Sequence, residues 1–287
     1  MSGAPAVRLR PRRSLLFAPG NRTEVHAKAL AAGADIVCLD LEDAVPPDAK
    51  QEARRLAVGF LSAAPGPERV IRINALRTAD GLRDLLAIIA ARPDGGVVFL
   101  PKVASAEEVR IAEALLEEAA LPLTLAVLIE SVEGLEHCAS ILRASSRIAF
   151  AMLGGVDLAA ELGVEVAPAP LLYARQRLVH AARLAGVDLL DVPSLVLRDA
   201  EILRAEAESA RELGFSGKAA IHPAQLAPVN AAFTPSAAQI AHAERVVAAW
   251  QASPNGLAVI DGKLVERPVV RAMQRILALR DGLAATP

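Results

Sequence analysis

Leu-Thr-Leu-Ala-Val-Leu-Ile-Glu (123–130) and Arg-Ile-Ala-Phe-Ala-Met-Leu-Gly-Gly-Val-Asp (147–157) are apolar runs of strand length that each lead into a carboxylate. Near-continuous apolar runs, rather than alternating ones, are what parallel strands buried on both faces require. Working outward, the same pattern recurs at 14–18, 36–41, 70–74, 97–101, 189–192 and 218–221, giving eight candidate strands. Between them lie Ala-rich amphipathic stretches at 22–32, 48–60, 81–91, 106–119, 132–143, 171–185 and 199–213, read as helices. Glycines in 32–35, 185–188 and 213–215 fall where helices should end before the next strand. Eight βα units predict a (β/α)₈ TIM barrel over 1–230, with an open doubly wound sheet as the alternative.

Residues 231–287 are expected to form a C-terminal extension: a helix at 237–252, a turn at Pro254-Asn255-Gly256, a hairpin-like 257–265 centred on Asp261-Gly262, and a last helix from near Pro268. It is too short for a domain and serves as a lid or a subunit contact.

Composition narrows the function classes. Apolar residues make up 53% of the 287 but aromatic ones only 3%, so the core must be built from Ala, Val, Leu and Ile. A formal net charge of −2 gives no reason to expect nucleic acid or a membrane surface as partner. Cys38 and Cys138 lie in apolar context and read as reduced thiols. No apolar run approaches bilayer length, and the arginine-rich N-terminus lacks the apolar segment of a secretory signal, so a cytoplasmic location is expected.

In a barrel, catalytic groups sit where strands end. Those positions hold Asn21-Arg22, Asp40-Leu41-Glu42-Asp43, Arg72, Lys102, Glu130, Gly154-Gly155-Val156-Asp157, Asp191, Ser194 and His222. Glu130 and Asp157 are hard oxygen ligands and favour Mg²⁺, with Mn²⁺ also suitable; a helix-terminal role for each is the alternative. Glu42 and Asp43 suit metal-bound water. Arg72, between Ile71 and Ile73, points into the barrel or its rim and can grip a carboxylate or an enolate oxygen, unless it is spent on Asp40 or Glu42. Lys102 reads as a salt bridge to Glu130 or Glu42 before it reads as a Schiff-base lysine. His222 is as much a capping or core residue as a catalytic one. Gly154 and Gly155 let backbone approach a ligand.

Taken together, Arg13-Ser-Leu-Leu-Phe-Ala-Pro-Gly-Asn-Arg22, Asp40-Leu-Glu-Asp-Ala-Val45, Arg72-Ile-Asn74, Pro101-Lys-Val103, Ile129-Glu-Ser131, Gly154-Gly-Val-Asp-Leu158 and residues 214–225 resemble the citrate lyase beta-subunit and malyl-CoA lyase group of the HpcH/HpaI aldolase superfamily. The resemblance covers nearly the whole chain. It implies a Mg²⁺-dependent lyase that cleaves a 3-hydroxyacyl-CoA into an acyl-CoA and a small oxo acid, working as a homo-oligomer, trimer or hexamer. A CoA-independent aldolase, an acyl-CoA thioesterase and a carrier-dependent beta subunit are the alternatives. It further implies Glu130 and Asp157 as metal ligands that also bind substrate with Gly154 and Gly155, Glu42 and Asp43 on metal-bound water, and Arg72 on the enolate. Arg13 and Arg22 are expected at the CoA phosphates. Two departures stand out: Glu266 occupies the place of a tail aspartate held to reach the neighbouring active site, and Leu190-Asp-Val-Pro-Ser194 lacks the group's usual tyrosine.

Overall fold

The computed structural model describes residues 10–253, 258–260 and 262–285. The chain divides into two compact units, Arg12–Phe233 and a second one that includes the described residues from Thr234 onward.

The larger unit is a closed parallel barrel of eight strands in sequence order. They are β1 Ser14–Pro19, β2 Ile36–Asp40, β3 Glu68–Arg72, β4 Val97–Leu100, β5 Thr124–Ile129, β6 Ile148–Leu153, β7 Asp188–Asp191 and β8 Gly217–Ala220. Each falls within two residues of the run read from sequence. The open-sheet alternative is excluded by the pairing of β1 with β8, Ser14 against Lys218 through Leu16 against Ala220.

Alternation along the strands sorts side chains into two layers. Leu15, Ile36, Cys38, Val70, Phe99, Ala126, Leu128, Phe150, Met152 and Leu190 fill the barrel interior, where Phe99 and Phe150 meet at 5.6 Å between ring centres. The alternate residues, among them Leu16, Val37, Leu39, Ile71, Val98, Val127, Ile129 and Leu153, pack outward with the helices. Both cysteines are buried free thiols.

Helix boundaries follow local chemistry. Leu172–Ala185 and Ala200–Leu213 end on Gly186 (φ 74) and Gly214 (φ 106), left-handed positions that glycine adopts without strain. The helix expected over 132–143 is instead two short pieces, Val132–Glu136 and Cys138–Ile141, parted at His137, whose ψ of 6 leaves the helical range. The 48–60 stretch is helical only over Lys50–Ala57 and is flanked by 3₁₀ turns at Pro47–Ala49 and Val58–Phe60.

The second unit holds the helices Ala237–Ala252 and Arg267–Ala285 and a two-stranded antiparallel ribbon, β9 Ala258–Ile260 with β10 Lys263–Val265. Val246, Val265 and Val270 form its small core, and Arg280 reaches Glu244 at 2.5 Å. The turn expected at 254–256, and Leu257 and Asp261 of the expected hairpin, lie outside the described residues. No helix among the described residues is long and apolar enough to cross a membrane.

Candidate active site

Strand parity decides which side chains meet at the C-terminal mouth. In β2 the inward set runs Ile36, Cys38 and so on to Asp40; in β3 it runs Val70 to Arg72; after β5 it runs Leu128 to Glu130. Asp40 and Arg72 are partners in the β2–β3 register, so they stand side by side. Arg72 donates from Nε to Asp40 Oδ1 at 2.8 Å and from Nη2 to Asp40 Oδ2 at 2.7 Å. Its Nη1 lies 3.3 Å from Glu42 and its Nη2 3.2 Å from Asp43, and its guanidinium carbon sits 5.0 Å from the centre of the Phe17 ring. Arg72 is thus ion-paired to Asp40, and it also lines the cavity. Burial disfavours its charge, but the Asp40 hydrogen bonds and the three neighbouring carboxylates outweigh that and hold it protonated.

Glu42 is buried. Lys102 Nζ donates to its Oε1 at 2.6 Å, while Oε2 has no hydrogen-bond partner among the described residues. Burial, opposed by Arg72 and Lys102, raises its pKa. Asp43 is exposed, 3.7 Å from Lys102 Nζ. Lys102 adopts a left-handed conformation (φ 52), uncommon for a side-chain-bearing residue. There its backbone N–H donates to Glu130 Oε1 at 2.7 Å. Lys102 thus touches both residues that the sequence offered it, Glu130 through backbone and Glu42 through the ammonium, and forms no lone catalytic amine.

Glu130 is 3% exposed. Burial first, then the charges of Glu42 and Asp157, push its carboxyl up to about 8. Gly154 makes its place: a Cβ there would fall 2.3 Å from Glu130 Cβ and 2.7 Å from Oε2. Gly155 is also tight, 3.2 Å from Val192 Cγ2. The helix Gly155–Leu162 starts two residues before Asp157, which is therefore a first-turn residue and not the N-cap. Glu130, Asp157, Asp40, Asp43, Arg72, Gly154 and Gly155 all line one cavity of about 460 Å³, together with Phe17, Leu128, Met152, Val192, Pro193 and Ile221.

The donor set fits a hard divalent cation. A carboxyl raised by burial and then by neighbouring carboxylates is one whose charged form a cation would stabilise, and Glu42 Oε2 nearby carries no hydrogen bond. Among the described residues no three His, Cys, Asp or Glu groups converge to cage a metal. Mg²⁺ is commonly held by one or two carboxylates and completes its shell with water and substrate.

The remaining expected residues fall elsewhere. Arg13 must be corrected: it precedes β1, at the opposite end of the barrel, where its guanidinium and its backbone N–H are spent on Asp35 at 2.7–2.9 Å. Arg22 does follow β1 at the mouth, exposed and paired with Glu24 at 2.8 Å. Glu266 lies in the second unit, exposed, directly before the helix Arg267–Ala285. His222 caps the turn Pro223–Gln225, its Nδ1 accepting from Ala224 N at 3.1 Å. Asp191 is sequestered by Arg175 and Lys218 at 2.9 and 3.0 Å. Sequence reasoning named Asp40 only as a rival for Arg72 and overlooked Phe17, Leu128 and Met152. The inward parity of β1, β5 and β6 carries that signal.

Residues 13–223 match the model of the HpcH/HpaI aldolase/citrate lyase family. The chain belongs to that family. It is 38% identical over 282 residues to a (3S)-malyl-CoA thioesterase of Cereibacter sphaeroides, covering 96% of both chains. It is 31% identical over 312 residues to an L-malyl-CoA/beta-methylmalyl-CoA lyase of the same species, covering 98% of both. The protein CitE of Mycobacterium tuberculosis, solved with magnesium, acetoacetate and coenzyme A, superposes with a TM-score of 0.75 at 34% identity over 96% of this chain and 99% of that one. A second structure from that organism, a citrate lyase beta subunit with oxaloacetate and magnesium, gives 0.67 at 34% identity over 79% and 99%. The chain is a lyase of the citrate lyase beta-subunit-like kind, and its family includes proteins that act on CoA thioesters.

Proposed function

We propose that this family member is a Mg²⁺-dependent carbon–carbon lyase acting on a 3-hydroxyacyl-CoA of the malyl-, citramalyl- or citryl-CoA type. The observation that carries the reading is Glu130, buried beside Asp157 and Glu42 with its carboxyl raised to about 8. A perturbed carboxylate cluster in a cavity marks a working site more often than a structural one.

Glu130 and Asp157 would hold the cation, with Glu42 Oε2 and Asp43 accepting from its water. The ion would supply Lewis-acid polarisation of the substrate's hydroxyl or oxo oxygen and fix the adjacent carboxylate. The chain's own groups do the rest. Cleavage transfers the hydroxyl proton to a base, for which the Glu266 carboxylate is the candidate, breaks the bond between the carbinol carbon and the thioester's α-carbon, and leaves the electron pair on the thioester enolate. Arg72, locked by Asp40 and lining the cavity, would offset that developing charge, an effect worth about 3–4 kcal/mol for a well-placed donor. Protonation of the α-carbon then gives the acyl-CoA, and Glu266 is the candidate to carry that proton from the C-terminal unit, acting in a homo-oligomer. Arg22 is proposed at the CoA phosphates.

Turnover of malyl-, citramalyl- and citryl-CoA with Mg²⁺ tests the reading when oxo acid and free thiol are followed together, with and without EDTA. EDTA-sensitive oxo-acid release with no thiol supports the lyase. Thiol release with the hydroxy acid intact would favour hydrolysis, a reading that the 38% identity to a thioesterase keeps in view. Silence in both channels would contradict each.

A further inference from the structure

Part of the wall of the mouth lies beyond the reach of the barrel's own hydrogen bonds. β7 and β8 pair over only two positions, Leu190 against Gly217 and Asp191 against Lys218. The segments that follow, 192–196 after β7 and Ile221-His222 after β8, nevertheless supply Val192, Pro193 and Ile221 to the lining of the cavity. The register between the two strands ends before these residues, so side chains have to fix them relative to one another.

Two buried side chains do so. Lys218 donates from Nζ to Val192 O at 2.7 Å and holds the start of the first segment. Gln225 joins the first segment to the second. Its Nε2 donates to Ser194 O and to Val196 O, both at 2.9 Å. Its Oε1 accepts from the backbone N–H of Ile221 at 2.8 Å and of His222 at 3.2 Å. The residue is 1% exposed and is not among those lining the cavity. One amide thus spends both donors on the segment after β7 and its oxygen on the segment after β8, the complete hydrogen-bonding set of a carboxamide. These partners also fix which way the amide points, since a flipped group would set N–H against N–H and oxygen against oxygen. An apolar side chain there would strand four buried backbone groups, and a carboxylate would serve only two of them.

We propose that Gln225 is a positioning residue for the substrate: by tying 192–196 to Ile221-His222 it sets the wall made by Val192, Pro193 and Ile221, and so the fit of the bound thioester, without touching it. The role rests on the lyase reading above. The groups assigned to the cation are held by other means, Glu130 by the Lys102 N–H and Asp157 by the helix Gly155–Leu162. A wall contact that is equally strong before and during bond cleavage appears in KM and not in kcat.

The test measures kcat, KM, Mg²⁺ affinity and urea unfolding for the full-length wild type, Gln225→Leu and Gln225→Glu, with whichever of the three thioesters the wild type cleaves. Gln225→Leu removes all four bonds; Gln225→Glu keeps the two from Ile221 and His222 and loses the two donors. Arg12→Met, which breaks the bonds to Glu68 at the opposite end of the barrel, is the control for lost stability. Both Gln225 variants are expected to raise KM on the order of tenfold, the scale of one mis-set apolar contact in a pocket, with kcat and Mg²⁺ affinity close to wild type. Arg12→Met is expected to lose stability and leave KM unchanged. An unchanged KM in the folded Gln225 variants, a loss confined to kcat, a matching loss of Mg²⁺ affinity, or failure of both variants to fold would overturn the positioning role and leave the lyase reading standing. A wild type that neither binds Mg²⁺ nor cleaves any thioester would overturn the lyase reading, and this role with it.

Discussion

The two ends of the barrel handle charge in opposite ways. At the N-terminal end three carboxylates meet guanidinium groups: Arg12 donates to both oxygens of Glu68 at 2.7 and 2.9 Å and reaches Asp188 at 3.1 Å, while Arg13 grips Asp35. At the C-terminal mouth five carboxylates, Asp40, Glu42, Asp43, Glu130 and Asp157, face Arg72 and Lys102. Glu130 is held there by a backbone N–H instead of a cation. The strands and helices are alike at both ends, so the imbalance at the mouth is not a demand of the fold. Paired charge at one end serves stability, and the excess of carboxylates at the other is where the cation and the substrate are proposed to bind.

Substitutions can break that contrast. The largest expected effect is at the mouth. Asp157→Ala should reduce EDTA-sensitive turnover on the order of 10³-fold or more, since a bound cation supplies several kcal/mol of charge stabilisation, while circular dichroism and the melting temperature stay close to wild type. Loss of fold with Asp157→Ala would make this exposed first-turn residue structural. Arg12→Met at the far end should do the reverse. It leaves Glu68 and Asp188 without their partner, so urea unfolding should show a loss of about 3 kcal/mol, with kcat per folded molecule unchanged.

Next comes Arg72→Lys, which keeps a charge beside Asp40 but loses the planar fork. A fall in kcat of about 10²-fold is expected, with Mg²⁺ affinity little altered; a fall in Mg²⁺ affinity instead would tie Arg72 to the cation site.

How much of this was legible in the sequence depends on what kind of information each feature needs. The eight strands were readable because burial on both faces forces continuous apolar runs, and Gly186 and Gly214 marked helix ends because of their left-handed backbone. The carboxylates at the mouth were readable because an acid ending an apolar run has no packing role. Arg13 was misplaced because it adjoins the same apolar run as Arg22, and proximity along the chain says nothing about which end of a strand faces the site. The anchoring of Arg72 by Asp40 depends on β2–β3 register, and the double contact of Lys102 on a left-handed backbone at a residue other than glycine. Neither leaves a mark in residue type.

Acidity sharpens the comparison at smaller scale. The Glu130 carboxyl is raised in the folded chain, so the fold favours its protonated form. That contribution is fully present below its unfolded value near 4.5 and is lost as pH rises through about 8. The metal-free protein should therefore lose about 2 kcal/mol of stability between pH 6 and pH 8, and saturating Mg²⁺ should shrink that loss. A loss of equal size with Mg²⁺ present would separate Glu130 from the cation. The smallest effect is at the rim: Arg22→Ala breaks only an exposed pair and should leave stability at the wild-type level, yet raise KM for the CoA thioester.

Calorimetric titration of the metal-free chain with Mg²⁺ at pH 7, repeated in buffers of different ionisation enthalpy, addresses the imbalance at the mouth most directly. One ion per chain is expected to bind and to displace close to one proton, because the carboxyl of Glu130 is still protonated at that pH. Proton release should fade as the titration is moved above pH 9, and Asp157→Ala should abolish the binding. Mg²⁺ binding that releases no proton and survives Asp157→Ala would contradict the assignment of Glu130 and Asp157 as the cation site.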